Sequence, residues 1–215
     1  MIERPILLNA DMVNAVLSGE KTQTRRFVKQ QRDTAVWSVK PTEKPRHKSH
    51  THDWWLPTGT EPYSALPGCP YGVVGDRLWV REKTRVLSHQ PDDMAQVRYE
   101  ADGALATIVI PSRLRRVEPG RCLSNGCHRE ASRITLEITS LRVERLNDIS
   151  EADARAEGVQ QLRGGFWRHY QPGWTQHQLS ARGSYVTLWD SIYGEGSWRA
   201  NPWVWVIEFK RGEVK

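Results

Sequence analysis

Along this chain, hydrophobic and polar positions alternate with period two in several short runs and follow helical spacing in only a few, a balance that favours strands over helices. Residues 9–19 read as a short helix. Asn9 or Asp11 caps it, Val13, Val16 and Leu17 share one face, and Gly19 suits the position after the C-cap. Residues 21–26 then read as extended, with the β-branched Thr22 and Thr24 on one side. Gly75-Asp76 signals a turn into a strand over 77–82. Its alternation puts Arg77, Trp79 and Arg81 on one face and Leu78, Val80 and Glu82 on the other. Residues 97–99 and 104–110 are shorter strand candidates. The longest is 133–146, where Ile134, Leu136 and Ile138 share a face before Leu141 and Val143 take over out of phase, a slip that predicts a bulge near Thr139-Ser140.

Two further helices follow. Ser150 is a good N-cap for a turn of helix that carries acids at its start and ends at Gly158. Residues 184–193 place Tyr185, Leu188, Trp189 and Ile192 on one stripe. The run 203–209 closes the pattern as a strand with Trp203, Trp205, Ile207 and Phe209 pointing one way. Between about 30 and 71 periodicity dissolves. Six prolines punctuate the stretch (Pro41, Pro45, Pro57, Pro62, Pro67, Pro70), and His47, His50 and His52 crowd its middle. Such a stretch reads as a functional loop or a mobile insertion, with Trp54 and Trp55 docking part of it onto the fold. Short strands with few helices between them predict an α+β fold built as a mixed or antiparallel barrel. The expected organisation is one domain over 1–215 with a Pro/His-rich basic insertion at about 30–71.

Composition narrows the class. With 215 residues, 38% of them hydrophobic, and ten Trp, the chain can bury a core without disulfide staples. Its three cysteines, Cys69, Cys122 and Cys127, do not form an even disulfide framework, which points to a reducing compartment. The first residues show early charges and no long apolar run, so neither a signal peptide nor a membrane span is expected, and the expected location is the cytoplasm. The net charge of +6 is unevenly placed. From Lys21 to His50, nine Lys and Arg stand against Asp33 and Glu43, a local charge of +7, and the rest of the chain is near neutral. Such a segment suits phosphate or nucleic acid, and equally a solvated basic loop.

Four constellations carry candidate chemistry. The first is Gly19-Glu-Lys-Thr-Gln-Thr-Arg-Arg26, a helix end handed directly to a strand. Desolvation and the adjacent Arg25 and Arg26 would lower the pKa of Lys21, letting it deprotonate the hydroxyl of Thr24; the plainer reading is a strand with surface basic residues. The second is Glu157, held at a helix end by Gly158 and suited to general acid–base work, or else an ordinary exposed helix acid. The third is Cys122-x4-Cys127-His128. It offers soft ligands at a spacing unusual for zinc and without a second nearby pair, so no metal is expected. His50-Thr-His52-Asp53 has metal-ligand residues too, but reads as a His-rich loop. The fourth is aromatic and basic together: Arg77, Trp79, Arg81, Arg98 and Tyr99 could stack bases and neutralise phosphates, or Trp79 is simply a core residue flanked by solvated arginines. P-loop, GxGxxG, HExxH and GxSxG motifs are absent, which removes support for nucleotide hydrolysis and the common hydrolase folds.

Taken together, these pieces resemble the ASCH family of the PUA-like superfamily, and more closely its phage- and prophage-borne members. The resemblance rests on Gly19-Glu-Lys-Thr-Gln-Thr-Arg-Arg26, Gly75-Asp-Arg-Leu-Trp-Val-Arg-Glu82, Ile149-Ser-Glu-Ala-Asp-Ala-Arg-Ala-Glu-Gly158 and the closing strand to Phe209. It does not cover about 30–71 or the stretch around Cys122. The common family form is Gly-x-Lys-x-x-Glu-x-Arg; here Gly19, Lys21 and Arg26 match, and Thr24 stands where Glu is usual. Lys-Thr-x-Thr at this place is similar to the small bacterial ASCH amidohydrolases that remove the acetyl group from N4-acetylcytidine. The resemblance implies a PUA-like mixed barrel with a few flanking helices and a long inserted loop. It also implies a catalytic set of Lys21, Thr24 and Glu157, with Glu151 as the competing placement for the acid, and no cofactor. Arg25, Arg26, Trp79 and Arg81 are the candidate substrate-binding residues. The expected partner is a nucleoside or nucleobase substrate; alternatives are a non-catalytic RNA-binding module or a ribonuclease of the same family.

Overall fold

A computed structural model of the chain describes residues 1–32, 36–110, 117–123 and 128–212. It is a mixed α+β structure, mostly sheet with few helices. It divides into two compact units, one of Met1–Gly19, Asp76–Glu137 and Lys210–Lys215, the other of Glu20–Gly75 and Ile138–Phe209.

In the first unit, strand β1 (Glu3–Leu7) leads into helix α1 (Ala10–Leu17). Asn9 caps that helix by accepting a hydrogen bond from the Met12 N–H, as its side chain allows, and the helix buries Met12, Val13, Ala15 and Val16. Gly19 follows at φ +83°, a conformation that suits glycine and stops the helix. Strand β6 (Arg77–Arg81) pairs in parallel with β1 and antiparallel with the start of the long strand β10 (Thr135–Arg145). Leu78 and Val80 are fully buried while Arg77, Trp79 and Arg81 are partly exposed, the alternation the sequence predicts. Strands β7 (Thr84–Gln90), β8 (Met94–Tyr99) and β9 (Leu105–Val109) form an antiparallel meander around Val86, Ala95, Val97 and Tyr99.

In the second unit, β2 (Gln23–Phe27) pairs antiparallel with the last strand, β11 (Trp203–Arg211), with Thr24 opposite Ile207 and Arg25 opposite Val206. β11 neighbours the continuation of β10. Helix α2 (Glu151–Ala156) and helix α3 (Ala181–Tyr193) complete the unit. In α3, Tyr185, Leu188 and Trp189 are buried, while Ile192, in the last turn of the same stripe, is exposed.

Three expectations change. The stretch 30–71 is not one long loop: it contains an antiparallel sheet of β3 (Ser38–Pro41), β4 (His52–Trp55) and β5 (Ser64–Ala65). Trp54, 0% exposed, meets Trp203 edge-on at 5.7 Å between ring centres. Its strands are too short and too polar to show period-two alternation. Second, among the described residues no strand order returns on itself, so no closed barrel forms. The two meanders pair sequential neighbours and end on their own edges. Third, Thr22 and Thr24 do not share an environment: Thr22 is exposed and Thr24 buried, since the strand begins only at Gln23.

His52 shows how tightly β4 is packed. Its ring lies edge-on to Trp205 at 5.5 Å, and burial lowers its pKa from 6.5 to about 4, with Asp53 opposing the effect. A histidine depressed in the folded state favours folding fully above 6.5 and loses that contribution as the pH falls toward 4, because the unfolded chain takes up the proton first. The stability of the wild-type protein should therefore fall more steeply between pH 6.5 and 4 than that of His52→Gln, measured by urea unfolding at each pH. Parallel curves would show that His52 does not titrate this way.

Candidate functional site

Three successive residues of β2, Gln23, Thr24 and Arg25, are buried, so this strand is covered on both faces and polar groups must find partners inside. Just before it, Lys21 forms an isolated antiparallel bridge with Glu157, and the Thr22 N–H donates to the Ala156 carbonyl at 2.9 Å. The bridging partner is placed by α2. Ser150 caps this helix by accepting from the Asp153 N–H, and Glu157 ends it in a helical conformation with its N–H on the Asp153 carbonyl. Gly158, at φ +79°, then turns the chain away in a conformation open to glycine. The Glu157 carboxylate is thereby held at a helix end and directed at β2.

Lys21 and Glu157 are each 2% exposed. The Lys21 ammonium donates at 2.8 Å to Glu157 Oε2 and at 2.8 Å to the Glu157 backbone carbonyl. Arg25 donates from Nη1 to Glu157 Oε1 at 3.2 Å, and the Tyr185 hydroxyl lies 3.5 Å from the same oxygen. Arg25 also grips Glu144, from Nε at 3.1 Å and from Nη2, and sits 3.5 Å from Asp153. Arg142 ties the rim, pairing with Glu144 at 3.1 Å, with Asp153 at 2.9 Å and with Glu208. Gln23 donates to Asp153 at 3.1 Å. Three cations thus face four carboxylates, and the two most buried cations meet at one carboxylate.

The electrostatics follow from burial. Desolvation holds the Lys21 pKa below its ordinary value although Glu157 works against it, and Arg26 and Arg25 add to the lowering. Burial, then the Glu157 charge, pushes Tyr185 well above the ordinary tyrosine range, so its hydroxyl stays a neutral donor. For Asp153, burial acts to raise the pKa, but the Ser150 hydroxyl, Arg25 and Arg142 outweigh it and keep the carboxyl low. Thr24 is 0% exposed and its hydroxyl oxygen has no hydrogen-bond partner among the described residues. Arg26 is partly exposed, with Nη1 3.4 Å from the Tyr193 hydroxyl, and lies close enough to Lys21 and Glu157 to influence both charges.

Of the sequence candidates, Lys21, Arg25 and Glu157 come into direct contact. Thr24 shares β2 with Arg25 and makes no hydrogen bond to Lys21. Glu151, the competing acid, instead accepts from the Ala181 and Arg182 N–H groups at 3.0 and 3.1 Å and so caps α3. Trp79 and Arg81 belong to the first unit, where Trp79 packs against the Val86–Val97 core on the plainer of its two readings. Cys127 lies outside the described residues. Among those described, no group of three or more His, Cys, Asp or Glu could hold a metal ion. Sequence reasoning missed Glu144, Asp153, Arg142 and Tyr185. Arg142 and Glu144, two apart on a strand, were a legible signal of one charged face. Asp153 resembled a routine first-turn acid and Tyr185 a routine core residue. Comparison with protein-family models, with curated proteins and with solved structures finds no match to this chain.

Removing the shared carboxylate strands the buried Lys21 and takes one of the carboxylate partners of Arg25. Glu157→Gln should destabilise the protein by about 3–5 kcal/mol, the range for breaking one partner of a buried pair. Lys21→Met combined with Glu157→Leu should recover most of that loss, because no lone charge remains. Chemical denaturation of the three proteins measures both effects, and a loss below about 1 kcal/mol for Glu157→Gln would mean the pair is solvated.

Proposed function

We propose that this chain is a metal-independent amidohydrolase that removes N4-acyl groups from cytosine or cytidine derivatives, on a PUA-like, ASCH-type fold, with Lys21, Thr24 and Glu157 as its catalytic set. The observations that carry the reading are a desolvated lysine–carboxylate pair and, three residues from the lysine along the chain, a buried threonine hydroxyl with no hydrogen-bond partner among the described residues. The resemblance of the Lys21-x-x-Thr24 motif supplies the substrate class. An α+β chain of short sheets with few helices is compatible with the PUA-like assignment.

Amide hydrolysis needs a nucleophile with a base, stabilisation of the developing oxyanion, and a proton for the leaving amine. Moving one proton along the 2.8 Å bond turns the Lys21–Glu157 ion pair into a neutral amine and a carboxylic acid, with no change in net charge. Lys21 then accepts the Thr24 hydroxyl proton as the oxygen attacks the acyl carbon. Glu157 gives its proton to N4 as the C–N bond breaks, releasing the free amino base and leaving an acyl ester on Thr24. The ion pair is restored at this point. Water cleaves the ester: its proton passes to the Thr24 oxygen through the pair, and a carboxylic acid leaves. Arg26, close enough to Lys21 to act on its charge, is the proposed cation for the oxyanion. Arg25, fixed by Glu144 and Asp153, is a positioning residue that holds Glu157 in place.

The RNA-binding reading draws on the +7 segment. Two of its nine cations, Lys21 and Arg25, are buried against carboxylates. Arg32 stacks on Trp37 at 4.3 Å and Lys40 on Trp55 at 4.3 Å. The charge available to a polyanion is therefore smaller than the sequence count.

Purified protein incubated with N4-acetylcytidine after chelator treatment should release cytidine. Thr24→Ala and Lys21→Ala should lose roughly a thousandfold or more in turnover, and Thr24→Ser should keep part of it. Thr24→Val is the sharpest variant. It matches threonine in shape and removes a buried hydroxyl that makes no hydrogen bond, so it should fold at least as stably as wild type while losing activity. No cytidine from folded protein, or near-native turnover in Thr24→Val, would remove the proposal.

A further inference from the structure

A cavity of about 590 Å³ lies in the first unit, apart in sequence from every residue of the proposed catalytic set. Five cations line it: Arg77, Arg129, Arg133, Lys210 and Arg211. Its size is within the usual range for a small-molecule site. Its lining contains no aromatic residue, so nothing there offers a face on which a base or sugar ring would stack. The acids in the lining are Glu3 and Glu137.

The cations differ in how firmly they are committed. Arg133 is fixed in place. It chelates Glu82 at 2.8 Å from two nitrogens, reaches Asp102 at 2.8 and 3.0 Å, and lies 4.1 Å above the Tyr99 ring. Arg129 pairs with Glu3 at 2.9 Å and Lys210 with Glu137 at 3.3 Å, and all four of those side chains are at least one-third exposed. Such surface pairs contribute only about 0–1 kcal/mol, so an anionic ligand can take over either cation at little cost. Among the described residues no carboxylate pairs with Arg77 or Arg211; Arg211 donates only to the Leu17 carbonyl at 3.3 Å. The cavity thus holds two uncommitted guanidiniums and two easily recruited cations around a polar floor that includes Ser132 and Thr135.

We infer that this cavity binds an oligophosphate group. Guanidinium forks match phosphate oxygens in bidentate geometry. Several converging cations without a stacking surface favour a chain of phosphates over a nucleobase. The site is independent of the amide chemistry proposed above, and its test reads binding alone.

Titration of the full-length protein with inorganic tripolyphosphate, by calorimetry at matched ionic strength, should give saturable binding. Arg77→Gln with Arg211→Gln should weaken it at least tenfold. Glu137→Gln, which frees Lys210, should tighten it several-fold. This gain keeps the proposal testable even if the double variant folds poorly. A single-stranded oligonucleotide is the second arm: competition with tripolyphosphate identifies the group as one a nucleic acid also presents, and absence of competition identifies a free or terminal oligophosphate. Failure to bind tripolyphosphate beyond matched sulfate overturns the inference, as does unchanged affinity in the folded double variant or binding of the oligonucleotide alone.

Discussion

The Glu157 carboxylate is the constraint on which the second unit depends. An ammonium and a guanidinium are taken out of water together, and each would be prohibitively costly to bury alone. One carboxylate, at 2.8 and 3.2 Å, bridges both, and Glu144 and Asp153 supply further negative charge to the guanidinium. To hold it there, α2 needs only six residues, a serine cap and a glycine stop, and much of the helix is exposed. The helix is too short to be stable in isolation. Its capping serine, the Glu157–Lys21 bridge and the Ala156 carbonyl that receives the Thr22 N–H fix it from outside. Local sequence and long-range ion pairing therefore specify the same geometry, 136 residues apart in the chain.

The ends and middle of the fold were legible in the sequence because their residues obey one period and one exposure rule. Asn9, Gly19, Ser150 and Gly158 announce helix limits through caps whose chemistry is local. Leu78 and Val80 announce a strand with one buried face. Where a strand is buried on both faces the rule fails. Val204, Trp205, Val206 and Ile207 are all buried, so the alternation of β11 marked its direction and not its solvent side. Gln23 and Arg25 are buried with polar side chains, which no hydrophobic pattern can flag. In the 38–65 sheet the signal is aromatic and not periodic: Trp37, Trp54 and Tyr63 pack around Arg32, and prolines interrupt the run. Closure into a barrel is a property of strand pairing far apart in sequence, and composition carries no information about it.

The catalytic candidates were legible for a different reason. Lys21 and Thr24 lie three apart on a short segment, so they read as one motif, although an odd offset in an extended segment turns two side chains to opposite faces. Glu157 required the resemblance, since an acid before a glycine at a helix end is common. Glu144, Arg142 and Asp153 stayed invisible as a group because each has an ordinary local role, and their joint meaning exists only once β10, α2 and β2 are brought together. Charge counting fails at the same point. A +7 segment looks like a nucleic-acid surface until its cations are sorted by partner.

That sorting gives opposite outcomes in the two units, and the difference is physical. In the second unit cations and carboxylates are buried together, and at short range in a medium of low polarizability they must nearly cancel. What survives is not a field but a buried ion pair, in which desolvation lowers the lysine pKa and the carboxylate opposes the lowering. In the first unit the cations of the 590 Å³ cavity are paired only at the surface, where water screens each pair and leaves it weak. What survives there is a field, available to a soluble anion. On the functions proposed above, the same residue types serve proton transfer where they are enclosed and recognition where they are wet, and burial, not composition, separates the two.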